Sequence, residues 1–266
     1  MDQTHETTVG PGQSATVRVG VQFHARGLPV VLSFVSLAFV FLYWGTVRLT
    51  ETHGELSYGL EAAAWFFDLN GENNAPTWFS SSLWLFAAFL ALGACSQSSR
   101  KYDQRRWRSL SMLFALLSVD EAAGLHEKIG HGLDQYVSLT GAFHYAWVLY
   151  GIAFLSLVVA FYFRFIISLP RKVVILIACA AAIFLSGALG LEMLGAAVES
   201  GVAKFPPGLS WHRAIALEEL LEMLGVILLI HALLIFLRDN HPLSVFTFGV
   251  RSAQSNRTTD TKRHKS

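Results

Sequence analysis

The sequence has little charge. Asp, Glu, Lys and Arg make up 15% of its 266 residues, against about 25% in soluble domains, so an ordinary water-facing surface is excluded. Cysteine is nearly absent: Cys95 and Cys179 both fall inside apolar runs. That placement excludes a disulfide framework or zinc-knuckle spacing and leaves them as small packing residues. The basic residues form short patches rather than a stripe, and the net charge is +1, which excludes a nucleic-acid binder. Residues 1–26 are polar and lack a cleavable-signal pattern, so the first apolar run is expected to stay as an anchor.

What is there is apolar. Hydrophobic residues make up 53% of the chain and gather in six long runs, about 28–48, 77–97, 107–127, 143–167, 173–197 and 213–237. Each approaches the roughly 20 residues that a helix needs to cross a bilayer. The expected fold is all-α, a multi-pass transmembrane helical bundle of about six spans. A polar tail, 1–26, precedes the transmembrane domain, 27–238, and a basic tail without periodicity, 239–266, follows and is expected to be disordered.

Positive loops stay on the cytoplasmic side. Arg100, Lys101, Arg105, Arg106 and Arg108 lie between spans 2 and 3, Arg164, Arg171 and Lys172 between spans 4 and 5, and Arg238 follows span 6. The alternate loops, 49–76, 128–142 and 198–212, carry few basic residues and several acids. Both termini are therefore expected inside, and the absence of a eukaryotic sorting motif points to a prokaryotic inner membrane. In the first outer loop a short interfacial helix is expected around 55–67, with Trp65, Phe66 and Phe67 at headgroup level. Trp44, Trp65, Trp78, Trp147 and Trp211 read as the outer aromatic belt.

With orientation set, depth follows. Span 3 ends in "SVDEAAGLHEKIGH", which places Asp120 and Glu121 one to two turns below the outer surface and His126, Glu127 and His131 at the mouth. Span 5 brings Glu192 deep and Glu199 to the mouth; span 6 brings His212 to the mouth and Glu218, Glu219 and Glu222 deeper. On continuous helices, residues seven apart share a stripe. The stripes are then Asp120, Glu127 and His131; Glu192 and Glu199; and His212, Glu219 and Glu222. Glu121, His126 and Glu218 fall off them. "LEMLG" occurs at 191–195 and again at 221–225, which predicts Glu192 facing Glu222 with Gly195 and Gly225 permitting close approach.

The acids have no Lys or Arg at matching depth; Lys128, Lys204 and Arg213 lie at the mouth. Carboxylates gathered in low dielectric must share protons, line a wet cavity or coordinate a cation. With imidazoles they are the usual ligand set for non-haem iron, manganese or zinc. The candidate metal site therefore takes oxygen ligands from Asp120, Glu121, Glu127, Glu192, Glu199, Glu218, Glu219 and Glu222, and nitrogen ligands from His126, His131 and His212.

Other polar features read as structure. "DLNGENN" at 68–74 imitates a calcium loop, but position twelve is Phe79 where a bidentate Glu is needed, so an Asx-rich turn is expected. Ser118 has no matched base. The Asp120–Glu121 pair resembles the acidic motif of alkaline ceramidases and related membrane zinc hydrolases. That likeness covers two residues, without the seventh span or histidine triad, and assigns no roles. Glu218, Glu219 and Glu222 give ExxE rather than the ExxH of soluble di-iron proteins.

The leading expectation is a divalent metal site (iron, zinc or manganese) opening outward, in a metal-dependent hydrolase or oxidoreductase that acts on a lipid-soluble substrate. The loop 199–212 would cover its entrance. The alternative is a proton- or cation-coupled transporter using the same acids. Against it, the inner half lacks a polar path and the spans show no paired interruptions of the kind seen in carriers. A sensor or assembly partner is a weaker third reading. The expected partners are the bilayer, the lipid-soluble substrate and, in a homo-oligomer, further copies of the chain.

Overall fold

The computed structural model describes residues 27–53, 57–134, 136 and 139–240. Nine α-helices follow in order among them: α1 (Gly27–His53), α2 (Tyr58–Phe66), α3 (Ala75–Gln97), α4 (Lys101–Ala123), α5 (Leu125–Asp134), α6 (Trp147–Ile166), α7 (Arg171–Leu185), α8 (Glu192–Glu199) and α9 (Trp211–Asn240). A 3-10 turn, Gly141–Phe143, precedes α6, and a π-helical turn, Ser186–Leu191, joins α7 to α8. The expected tails lie outside the described residues, apart from Asp239 and Asn240, which finish α9.

α9 is the hub, packed against α1, α3 and α7, while α3 also lies along α4. Small buried residues of α3 (Ala87, Ala88, Ala91, Gly93 and Ala94) let the neighbouring backbones approach closely, as membrane helices require. Against them pack Trp107, Phe165, Met223, Ile230 and Leu233, each at most 1% exposed. Hydroxyl contacts fix the α3–α4 pair: Ser111 Oγ donates to the Ala88 carbonyl at 2.8 Å, and Ser118 and Ser81 lie hydroxyl to hydroxyl, with contacts of 2.8 Å to each other's carbonyls. Ser118 is thus a helix-packing residue.

Local signals set the helix ends. Asn74 caps α3, its Oδ1 accepting from Thr77 N at 3.2 Å, and Pro76 occupies the first turn, where its missing donor costs nothing. The expected Asx turn is present, with Asn70 N donating to Asp68 Oδ1 at 3.0 Å. α2 forms within the interfacial stretch and buries none of its residues; Trp65 is 58% exposed.

Among the described residues, five segments are long and apolar enough to cross a membrane: Gly27–Thr52, Ala75–Gln97, Trp147–Ile166, Arg171–Glu199 and Trp211–Asp239. Large apolar side chains also cover outward faces, Phe41 at 78% and Leu157 at 70% exposure, the surface of a membrane protein rather than a soluble one. The stretch expected as span 3 is not among the five. Bases up to Arg108 and acids from Asp120 leave it, from Ser109 to Val119, an unbroken apolar length of about 16 Å, about half of a hydrocarbon core.

Candidate functional site

The site begins where α4 stops. Gly124 takes a left-handed conformation, φ +52°, which glycine adopts without steric cost. A Cβ there would collide with the Glu72 carboxylate. The turn reverses the chain so that α5 starts beside the end of α4, and Asp120 closes the corner. Its Oδ1 accepts from His126 N at 3.0 Å and its Oδ2 lies 3.0 Å from His126 Nδ1. Glu72 also pairs with Lys128 Nζ at 2.7 Å, and that ammonium bonds the Ala123 carbonyl.

This break corrects the continuous stripe expected through Asp120, Glu127 and His131. A helix carried through Gly124 would align them; the αL turn instead swings His126 onto Asp120 and leaves Glu127 and His131 exposed. α5 lies past the end of α4, outside the spanning helices. There burial alone would lower the His126 pKa, but the hydrogen bond and charge of Asp120 outweigh it and hold the imidazole above its ordinary value.

Trp147, at the start of α6, joins His126 to Glu192. Its ring meets the His126 ring edge-on at 4.9 Å between centroids, and its Nε1 donates to Glu192 Oε1 at 2.8 Å. Glu192 also stands within side-chain hydrogen-bonding reach of Glu218. Glu219 and Glu222 complete the group, both in electrostatic range of Glu121 and Glu192. Glu121 bonds Ser80 of α3. All five of these glutamates are half-buried in the chain.

A second irregularity sets this register. The π-helical turn inserts one extra residue ahead of Glu192, and π turns often mark functional sites. It brings Gly187 against α9, where a Cβ would sit 2.7 Å from the Glu218 carbonyl oxygen. It also corrects the expected glycine pairing. Gly225 is closed by Phe184, whose Cβ and backbone N would lie 2.6 and 2.7 Å from an added Cβ, while Gly195 has only the Trp211 ring at 3.9 Å. The π turn is a single irregularity within the Arg171–Glu199 segment.

The remaining candidates sit at the rim. Tyr145 donates to the exposed Glu199 carboxylate; burial first, and then that carboxylate, raises the phenol above its ordinary pKa. Ser200 Oγ accepts from Gly141 N at 3.0 Å, which ties the 3-10 turn to the end of α8. His212 is exposed and turns toward α1, with Tyr43 Oη 2.8 Å from its Nδ1. Arg213 donates to the Gly208 carbonyl.

The structure thus gathers Asp120 with His126, and Glu121, Glu192, Glu218, Glu219 and Glu222 with one another. Glu127, exposed like His131, Glu199 and His212, also lies in electrostatic range of Glu192, Glu218 and Glu219. Among the described residues no three His, Cys, Asp or Glu side chains are grouped closely enough to hold a metal ion. Sequence reasoning missed Trp147, assigned to the aromatic belt, and Tyr150, which donates to the His126 carbonyl. Their spacing of three puts both on one face of α6, and that pattern could have identified them.

A family model described as Domain of unknown function (DUF8692) matches residues 27–237, and the chain belongs to that family. No curated protein and no solved structure matches it.

Proposed function

We propose that this member of the DUF8692 family is a six-span protein of the inner membrane with both termini cytoplasmic. Its carboxylate cluster, facing the extracytoplasmic side, takes a divalent metal ion for a metal-dependent enzyme acting on a lipid-soluble substrate. The sixth span is α4. Its hydroxyl contacts with α3 and its basic first turns, which belong at a cytoplasmic headgroup layer, support that assignment.

One observation carries the reading: five glutamates from α4, α8 and α9 lie in one electrostatic neighbourhood, while two bases of the mouth are engaged elsewhere, Lys128 with Glu72 and Arg213 with Gly208. Negative charge collected this way needs protons or a cation, and carboxylates with an adjacent imidazole suit iron, manganese or zinc. Ligand distances of roughly 2.0–2.6 Å require Glu219 and Glu222 to turn toward Glu192 and the Asp120–Glu121 corner. His126, already oriented by Asp120, is the first nitrogen ligand to expect. A metal so held would activate water or oxygen toward a substrate arriving from the bilayer.

The test is metal analysis of purified protein. Bound iron, zinc or manganese, lost in Glu192→Gln and Glu222→Gln, is the expected result. A folded, metal-free preparation that ignores all three added ions would refute it.

A second reading, proton- or cation-coupled transport, is favoured by two observations. A Glu192–Glu218 carboxyl contact needs a proton or cation between its oxygens, and the π turn, a feature frequent at functional sites, lies directly ahead of Glu192. In proteoliposomes a proton or cation flux lost with Glu192→Gln would favour transport over catalysis.

A further inference from the structure

Along α4 and α6, at Leu113 and from Phe154 to Tyr162, away from the helix ends that carry Glu121 and Trp147, lies an open apolar groove of about 590 Å³. Leu113 forms one wall; Phe154, Leu157, Val158 and Phe161 form the other. That volume lies within the range of small-molecule sites. The walls are helical stripes, and each ends in an arginine at the same end. Arg106 is seven residues before Leu113 on α4, and Arg164 is seven after Leu157 on α6, spacings that keep each pair on one face. The Arg106 guanidinium lies 4.1 Å from the Phe161 ring centroid and donates to the Phe161 carbonyl at 2.9 Å. This fixes it at the groove's end, while Arg164 is exposed beside it.

We propose that this groove binds a phospholipid with an anionic headgroup, its acyl chain along Leu113, Phe154 and Leu157 and its phosphate between Arg106 and Arg164. An apolar channel accepts any chain. Two guanidiniums at one end select a phosphate without a compensating ammonium, since Arg matches phosphate oxygens in a planar fork. Basic pockets between membrane helices on the cytoplasmic side bind anionic headgroups in this way. The site is separate from the glutamate cluster and does not depend on what that cluster does.

The test reconstitutes the full chain in vesicles of equal dioleoylphosphatidylglycerol and dioleoylphosphatidylcholine, extracts it in mild detergent and counts retained lipid by native mass spectrometry. Phosphatidylglycerol is expected to be retained in preference. Arg164→Gln, at an exposed position that the fold does not need, should cut that preference about fivefold, the effect of one basic residue at a lipid surface. Leu157→Trp, which fills the groove from its open side, should lower retention of both lipids. Equal retention of the two lipids, or a preference unchanged by Arg164→Gln, overturns the proposal. So does a dimer mass that carries no lipid, which would make the groove a contact between copies of the chain.

Discussion

Replacing Gly124 with alanine distinguishes the two ways in which the end of α4 can be read, because they predict opposite signs. In an unbroken helix, glycine costs about 0.8–1.0 kcal/mol relative to alanine, so Gly124→Ala would stabilise. At φ +52° the substitution forces a Cβ into the left-handed region, at about 1–2 kcal/mol. It also drives that Cβ into the Glu72 carboxylate. Glu72 must then leave Lys128, whose side chain is 58% exposed, so that loss adds at most about 1 kcal/mol. The expected total is a destabilisation of about 1–3 kcal/mol, read as a lower unfolding midpoint in detergent. Glu72→Ala removes the collision but keeps the backbone penalty, so in that background Gly124→Ala should cost about 1 kcal/mol less. That is a coupling of the size contacting residues show. A stabilised Gly124→Ala variant would mean that α4 runs straight through and that His126 does not return over Asp120. Strict additivity with Glu72→Ala would remove the Glu72 contact from the explanation.

Trp147→Phe keeps a ring against His126 and deletes the donor to Glu192; unfolding should show a loss of about 1.5–3 kcal/mol, the value of a hydrogen bond to a charged group, and an unchanged midpoint would dismiss the contact. Gly225→Ala pushes a methyl into the Phe184 backbone and should cost about 1–3 kcal/mol, whereas Gly195→Ala, whose added methyl meets only the Trp211 ring at van der Waals distance, should be close to neutral; equal effects would contradict the close α7–α9 approach. Asn74→Ala removes the α3 cap and the bonds to the Asp68 and Gly71 carbonyls, at 2.6 and 2.9 Å, and should lower stability by about 2 kcal/mol. Deleting Ala188 turns the π turn into α-helix and rotates Glu192 by about 100°. The coupling between Trp147→Phe and Glu192→Gln, measured by a double-mutant cycle, should then vanish, and a coupling that survives the deletion would refute the register argument.

The apolar runs were legible because bilayer-length helices write themselves into composition, and so were the turn before α3 and the short helix α2. The places of the acids along the helices were legible too. Which acids meet was not. Spacing of seven assigns a shared face only on an unbroken helix, and both helices that end in the cluster are broken where it matters. Gly124 looks like a tolerated helical glycine, and "SGALGL" carries no composition that distinguishes a π turn from an α turn. Asp120 therefore meets His126 rather than sharing a stripe with Glu127, and Glu192 reaches Glu218 rather than Glu222. Trp147 was hidden for another reason: a tryptophan at an interfacial depth has a sufficient explanation in the aromatic belt, so its indole N–H draws no notice until Glu192 is found beside it.

The two breaks have a common effect. Each lies within a turn of an acid in the cluster, and each departs from regular α-helical hydrogen bonding, the π turn inside a candidate span, where unsatisfied backbone groups cost several kcal/mol. The surroundings absorb that cost: Asp120 takes up the His126 N–H, Lys128 the Ala123 carbonyl, and Gly187 lets the π turn lie flat on α9. A bundle selected for packing alone gains nothing from such features, because straight helices would bury the same apolar faces. What the breaks change is the direction of polar side chains, His126 toward Asp120 and Trp147, and Glu192 toward Trp147 and Glu218. Irregular backbone at depth is tolerated where it serves a cavity or a site. The placement of both irregularities beside the same group of glutamates is therefore the structural reason to regard that group as the working part of the molecule.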